Sequence, residues 1–201
     1  MGAGAIAGRA DGHVDLARLS ADWRTHWGGC PPLGHLLKEA FPEKWVRFHS
    51  LPDSRRYARN DSEYRVLLER QHTVLADLGA PPRLVVVGCA CGDGVEPAGR
   101  SRQLAALAPG AYWRSVRSGD AADPDVHVYA GSLPNTPAAL DPLLRSVADD
   151  ETAGVILAPV GLDWLAHPYD GGLDVIARSP VERDALGASH PDWLSRHPEG
   201  L

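Results

Sequence analysis

The segment of residues 45–59, WVRFHSLPDSRRYAR, limits how this chain folds more than any other stretch. Its first five residues alternate between an apolar pair, Val46 and Phe48, and a more polar set, Trp45, Arg47 and His49. This period of two predicts a strand with one core-facing side and one side that carries Arg47 and His49. Pro52 ends the strand, and an arginine-rich loop follows.

That loop is strongly basic in an otherwise acidic chain. Between residues 44 and 60 there are five basic side chains and one acidic side chain, Asp53, while the whole chain has a net charge of −6. Guanidinium groups, hydroxyls and the N–H groups at a helix start together favour an anion pocket. The candidate binding residues of this segment are Arg47, His49, Ser50, Ser54, Arg55, Arg56 and Tyr57.

The distribution of charge along the chain suggests a second explanation for the basic loop. Residues 1–118 carry 16 basic and 12 acidic side chains, whereas residues 119–201 carry 4 basic and 14 acidic ones. Ion pairs between the two halves would neutralise the loop without any ligand. The acidic total, together with the lack of a nucleic-acid-binding motif, disfavours DNA or RNA as a partner.

A second block, residues 167–174 (HPYDGGLD), combines a turn signal with titratable side chains. Asp170-Gly171 is typical of a tight hairpin turn, here between strands predicted over residues 162–166 and 173–176. His167 and Asp174 would meet across this hairpin as a His–carboxylate pair suited to acid–base chemistry, with no nucleophile beside them. The candidate residues here are His167, Tyr169, Asp170 and Asp174.

The remaining pattern predicts helices and strands in an irregular order. Helices are expected over residues 14–27, 33–41, 60–79, 136–148 and from 179 onwards, and further strands over 83–88, 111–116, 126–130 and 154–157. Asn60 with Glu63, and Ser179 with Glu182, match the capping box of a helix start. Residues 91–109 are expected to form a loop with a short helix near 103–107.

This order predicts a single α+β domain built around a mixed β-sheet. It has N-terminal helices, a central amphipathic helix, and a C-terminal hairpin followed by short helices. We expect residues 1–12 to form a flexible tail and residues 13–201 to form the domain.

No cofactor or metal is expected from the sequence. Three cysteines do not make a disulfide framework, and Cys89-Ala90-Cys91 lacks the second ligand pair of a structural zinc site. Asp120, Asp123 and Asp125 lack the glycine and glutamate of a calcium loop. The chain has no apolar run of about 20 residues and no signal-peptide pattern, so we expect it in the cytoplasm.

The blocks RFHSLP, RRY, HPYDGG and DWLS resemble those of a bacterial, actinobacterial-type family of domains of unknown function. The resemblance covers residues 23–201 and is weakest over residues 83–109. It implies no established activity, substrate or cofactor, and it assigns no catalytic residue. It implies that the two blocks chosen above on physical grounds are shared within the family.

Two functions fit these observations. The first is a binding or regulatory domain that recognises a protein partner or a small anionic ligand, an immunity-type protein that blocks a toxin being one version. The alternative is a small enzyme that acts on a phosphorylated or carboxylated substrate. In that enzyme the arginines would clamp the anion, and His49 or His167 would act as general acid or base, oriented by Asp170 or Asp174.

Overall fold

The computed structural model describes residues 12–92, 102–117 and 124–194. Its α-helices are α1 (Leu16–Trp27), α2 (Gly34–Ala40), α3 (Asp61–Asp77), α4 (Arg102–Leu107), α5 (Pro137–Ala148) and α6 (Pro180–Ser189). Its strands are β1 (Trp45–His49), β2 (Arg83–Gly92), β3 (Ala111–Val116), β4 (Asp125–Pro134), β5 (Ile156–Ala158), β6 (Leu165–Tyr169) and β7 (Gly172–Ile176). Short 3₁₀ turns cover Pro52–Ser54 and Pro191–Trp193.

The seven strands form one sheet in the order β1-β7-β6-β5-β2-β4-β3. The predicted α+β class is confirmed. All pairings between these strands are antiparallel, where we expected a mixed sheet. Alternation in a sequence identifies strands, but it does not give the relative direction of two strands that are far apart in the chain.

Helices cover both faces of the sheet because β2, an interior strand, is apolar on both sides. Leu84 and Val86 of β2 belong to a core that includes residues of α3, α5 and α6. Val85 and Val87 belong to the opposite core, which includes residues of α1 and α2. All four side chains are at most 3% exposed, as expected for a strand whose apolar run does not alternate.

Two tryptophans fix α1 to the sheet. Trp23 and Trp27 are at most 2% exposed. Each indole N–H donates to a carbonyl oxygen at 2.8 Å, that of Cys30 for Trp23 and that of Leu162 for Trp27. Both rings are therefore buried without leaving a polar atom unpaired.

The helix starts predicted at Asn60 and Ser179 are confirmed, with one difference in the capping bonds. The Asn60 side chain accepts hydrogen bonds from the backbone of Ser62 and Glu63, both at 3.1 Å. The Glu63 carboxylate accepts from the N–H of Arg59 at 2.8 Å, one residue before the donor of a regular capping box. Glu182 of α6 similarly accepts from the N–H of Arg178, at 2.7 Å.

The hairpin is formed as predicted, but its first strand lies three residues later than expected. β6 is Leu165–Tyr169 rather than residues 162–166, so Pro168 lies inside a strand. The neighbouring β5 is short and pairs with β6 only at Leu157 and Ala166. Pro168 therefore lies beyond the last residue of β6 that pairs with β5. The N–H that proline lacks is not needed there for pairing with β5, so the proline is tolerated.

The short helix expected near residues 103–107 is confirmed as α4. β2 and β4 are longer than predicted and extend to ten residues each. Residues 1–11 of the predicted tail lie outside the described residues, as do residues 93–101. Gly12 is fixed to β4, because its carbonyl oxygen accepts from the N–H of Ser132 at 3.0 Å.

Within the described ranges, no helix combines the length and apolar character needed to cross a bilayer.

The β1–β7 pairing requires glycine at position 172. A Cβ there would lie 2.1 Å from the carbonyl oxygen of Phe48, a backbone atom of the paired strand. We predict that Gly172→Ala lowers the free energy of unfolding by about 1–3 kcal/mol or more, because overpacking displaces the backbone. Urea unfolding measures this loss.

Gly161→Ala is the matched control, since a Cβ at Gly161 would have no atom within 4 Å. The close approach of β1 and β7 is contradicted if the two alanine variants are equally stable.

Candidate functional site

The two blocks singled out in the sequence meet on neighbouring strands. β7 lies between β1 and β6, and its register places Arg47, Asp174 and His167 in one row across the three strands. The next row contains His49 of β1 and Tyr169 of β6, with Gly172 between them. Because side chains two apart on a strand point to the same face, both rows lie on one face of the sheet. This sheet face is called the polar rows below.

Arg47 and Asp174 form a bidentate ion pair at the centre of the polar rows. The Arg47 Nε and Nη2 atoms donate to the two carboxylate oxygens of Asp174 at 2.7 and 2.8 Å. The side chains are 18% and 8% exposed. The hydrogen bond to Asp174 raises the pKa of Arg47, although burial acts in the opposite direction.

Aromatic rings flank this ion pair. The Arg47 guanidinium carbon lies 4.7 Å from the centre of the Tyr169 ring and 5.4 Å from that of Trp45. Lys38 of α2 lies 4.7 Å from the centre of the same Trp45 ring. Two cations thus contact the Trp45 ring, which contributes cation–π attraction to both.

The predicted hydrogen-bonded pair of His167 with Asp174 is not formed, although the two residues are opposite one another. Asp174 directs both oxygens to Arg47, and the buried Nδ1 atom of His167 has no hydrogen-bond partner among the described residues. The ring packs against α2, where a Cβ on Gly34 would lie 2.4 Å from His167 Cε1. Burial lowers the pKa of His167, and the positive charge of Arg47 adds to that effect.

His49 resembles His167 in its environment. Burial lowers the pKa of His49, as does the nearby Arg47 guanidinium. Its buried Nε2 atom has no partner in the part of the chain that the structure describes. Its carbonyl oxygen accepts from Nη1 of Arg70 at 2.9 Å, which fixes the end of β1 to α3.

The hairpin turn carries a second charged cluster. Asp170 is 9% exposed. Its Oδ2 atom lies 2.5 Å from Nη2 of Arg56 and accepts from the hydroxyl of Tyr57 at 3.0 Å. Burial raises the pKa of Asp170, but the hydrogen bonds from Arg56 and Tyr57 outweigh it, and the pKa is lowered overall. The residues Arg56, Tyr57 and Asp170 are called the turn cluster below.

The other predicted residues of the basic loop lie apart from the turn cluster. Arg55 donates to Glu63 of α3 at 2.9 Å. Ser50 is 2% exposed, and its N–H donates to the carbonyl oxygen of Gly171 at 3.0 Å, so it connects the loop to the hairpin. Ser54 is exposed, at the far end of the Pro52–Ser54 turn.

The guanidinium groups of Arg47, Arg55 and Arg56 each contact a carboxylate of this chain. Arg47 and Arg56 use acids of the C-terminal half, so part of the charge asymmetry between the halves is neutralised internally. These arginines do not converge on one open anion pocket.

A small polar cavity beside His49 was not predicted. It has a volume of about 190 Å³ and is lined by His49, Leu51, Asp53, Ser54, Asp192 and Leu194. Asp53 and Ser54 both have positive φ angles, 58° and 56°, which is uncommon for residues other than glycine. Asp192 belongs to the DWLS block. This block was the sequence signal that could have indicated the cavity.

The cysteines and the potential metal ligands in the described part of the chain are not arranged as a site. Cys30, Cys89 and Cys91 are free thiols. Among the described residues, no group of three or more His, Cys, Asp or Glu side chains is arranged to hold a metal ion.

We predict that Arg47→Met lowers the free energy of unfolding by about 3–5 kcal/mol, because Asp174 is left buried without a counter-ion. The double variant Arg47→Met/Asp174→Leu should recover most of that loss, since an apolar pair replaces the ion pair. Denaturant unfolding of the variants measures both effects. Arg55→Gln is the control and should cost at most about 1 kcal/mol, as its ion pair is more exposed. Equal losses for Arg47→Met and Arg55→Gln would contradict the buried pair.

The two histidines of the polar rows should titrate below the ordinary imidazole pKa of about 6.5. Each has a lowered pKa in the folded chain, so the unfolded chain binds more protons just below that pH. Folding stability must therefore fall as the pH drops from about 7 to about 5. NMR titration of the imidazole C–H signals measures the pKa values.

For His167→Asn, the stability difference from the wild type should shrink over the same pH range, because the variant loses that titration. A constant difference would show that His167 is not desolvated in the folded chain.

Comparison of the whole chain with curated proteins and with solved structures finds no match. A protein-family model described as a domain of unknown function, DUF3885, matches residues 33–198, which include both sequence blocks and all the residues of the polar rows and the turn cluster. The chain therefore belongs to the DUF3885 family.

Proposed function

We propose that this chain is a cytoplasmic binding or regulatory domain that contacts a protein partner through the turn cluster. The observation that supports this proposal is the arrangement of Arg56 and Tyr57 around Asp170. The Arg56 side chain is 63% exposed and Tyr57 is 50% exposed, yet both bind the same largely buried carboxylate.

Such an arrangement suits protein recognition for two reasons. Arginine and tyrosine are enriched among the residues that carry most of the binding energy of interfaces. Side chains already held by a shared carboxylate also lose less conformational freedom when a partner binds. The free faces of Arg56 and Tyr57 remain available for contact.

A protein partner is favoured over a small anionic ligand by the charges around the loop. An incoming anion would have to compete with Asp174, Glu63 and Asp170, which already hold the three arginines. A protein surface contacts Arg56 and Tyr57 without breaking those pairs. The net charge of −6 favours a basic partner through electrostatic steering, and an immunity-type protein is one version of this proposal.

One observation favours the alternative, a small enzyme that acts on a phosphorylated or carboxylated substrate. His49 and His167 each have a buried nitrogen without a hydrogen-bond partner among the described residues, and both lie in the polar rows with Arg47. Their lowered pKa values favour neutral imidazoles, the form a general base requires. The carboxylate that would orient them, Asp174, is bound to Arg47 instead.

The tagged full-length chain and its variants, used to capture proteins from an extract of the native host, test the binding proposal. Arg56→Ala/Tyr57→Ala should reduce the affinity for the captured partner at least tenfold, since removal of a hot-spot residue costs more than about 1 kcal/mol. Arg65→Ala, at an exposed arginine of α3, is the matched control and should bind as the wild type does.

Equal capture by the double variant and the wild type would reject the turn cluster as the contact surface. If the double variant retains binding while His49→Asn or His167→Asn abolishes it, the polar rows are the functional site instead.

A further inference from the structure

We propose that a second site, formed by α1, β2, β4 and the loop after β5, binds a small carboxylate with an apolar body. It is a cavity of about 220 Å³. The residues that line it are His13, Val14, Asp15, Arg18, Leu19, Arg83, Leu84, Val85, Ser132 and Val160. None of them belongs to the polar rows or the turn cluster, so this site is independent of the function proposed above.

The walls of the cavity are mainly apolar. Leu19 and Val85 are at most 2% exposed and belong to the core between the sheet and α1. Val160, in contrast, is 56% exposed. An apolar cavity of about 150 Å³ is large enough for benzene, so 220 Å³ accommodates a ring with one polar substituent.

The polar substituent is specified by Arg83 at the first residue of β2. Its Nη2 atom donates to the hydroxyl and the carbonyl oxygen of Ser132, at 2.9 and 3.3 Å. Arg83 is half-buried, and none of the ion pairs between described residues involves it. It differs in this from Arg47, Arg55 and Arg56, each of which has an acidic partner.

The acid that lines the cavity does not neutralise Arg83. The Asp15 carboxylate is the N-cap of α1 and accepts from the N–H groups of Ala17 and Arg18, both at 3.0 Å. Arg18 also lies at the rim, with a side chain that is 68% exposed and an Nε atom paired with the Asp22 carboxylate at 3.5 Å, so Arg83 is the cation available to a ligand. A partly desolvated guanidinium beside an apolar cavity recognises a carboxylate through paired N–H donors.

Ser132 holds the parts of this site together. Its side chain and carbonyl oxygen fix Arg83, while its N–H fixes the carbonyl oxygen of Gly12, just before His13 and Val14 of the cavity wall. The guanidinium is therefore positioned before any ligand arrives, which lowers the entropic cost of binding.

Benzoate is the probe for this site, with benzamide as its uncharged counterpart of nearly the same shape. In NMR titrations of the full-length chain, benzoate should shift the methyl signals of Leu19, Val85 and Val160. It should bind at least tenfold more tightly than benzamide. This comparison uses the wild-type chain, so it does not depend on the folding of any variant.

Arg83→Gln should weaken benzoate binding at least tenfold, while Arg65→Gln on α3 should leave it unchanged. The proposal is overturned if benzoate shifts none of the three methyl signals, if benzamide binds as tightly as benzoate, or if folded Arg83→Gln retains wild-type affinity. These results are distinct from those of the partner-capture experiment, which depends on the turn cluster alone.

Discussion

The ion pair of Arg47 with Asp174 is the interaction on which the arrangement of the two sequence blocks depends. It joins an edge strand, β1, to the strand of the C-terminal hairpin that pairs with it. Both partners are mostly buried, so the pair is stable only while the strand register keeps both hydrogen bonds in place. A shift of one residue would move Arg47 to the core face and Phe48 to the polar face, at a large cost in free energy. The ion pair and the alternation of β1 therefore specify the same register.

The charge asymmetry of the chain allows ion pairs to form between its basic and acidic halves. Arg47 and Arg56, from the basic half, reach Asp174 and Asp170 in the acidic half across 127 and 114 residues of sequence. These contacts neutralise the charges of Arg47 and Arg56 within the chain, so the two charges do not require a ligand. They also orient Arg56 and Tyr57 at the surface, so internal neutralisation is compatible with the contact surface proposed above.

Local patterns predicted much of the fold. Alternation identified β1 with its two faces, and the helix starts at Asn60 and Ser179 were found from capping residues. The predicted bounds of β6, residues 162–166, missed the end of the strand, which includes Pro168. Proline is tolerated there because its missing N–H would point only towards β5, whose pairing with β6 is confined to Leu157 and Ala166.

The candidate site was predictable as a set of residues but not as a geometry. The sequence indicated that Arg47, His167 and Asp174 lie in one candidate site. It did not indicate that Arg47 would donate to both oxygens of Asp174 and leave His167 without that carboxylate as a partner. Pairing partners depend on register between distant strands, which no local pattern contains. The positive φ angles of Asp53 and Ser54, and the Arg70 bond to the His49 carbonyl, likewise depend on tertiary packing.

The contact of Gly34 with His167 links the identities of two residues that are far apart in the chain. α2 rests directly on the imidazole ring, with no room for even a methyl group between them. A family member with a larger residue at the position of Gly34 must therefore have a smaller one at that of His167, or move its second helix away from the sheet. Family members in which these two positions vary together are expected to keep α2 packed on the sheet. Members with a larger residue at the position of Gly34 alone are expected to have α2 displaced.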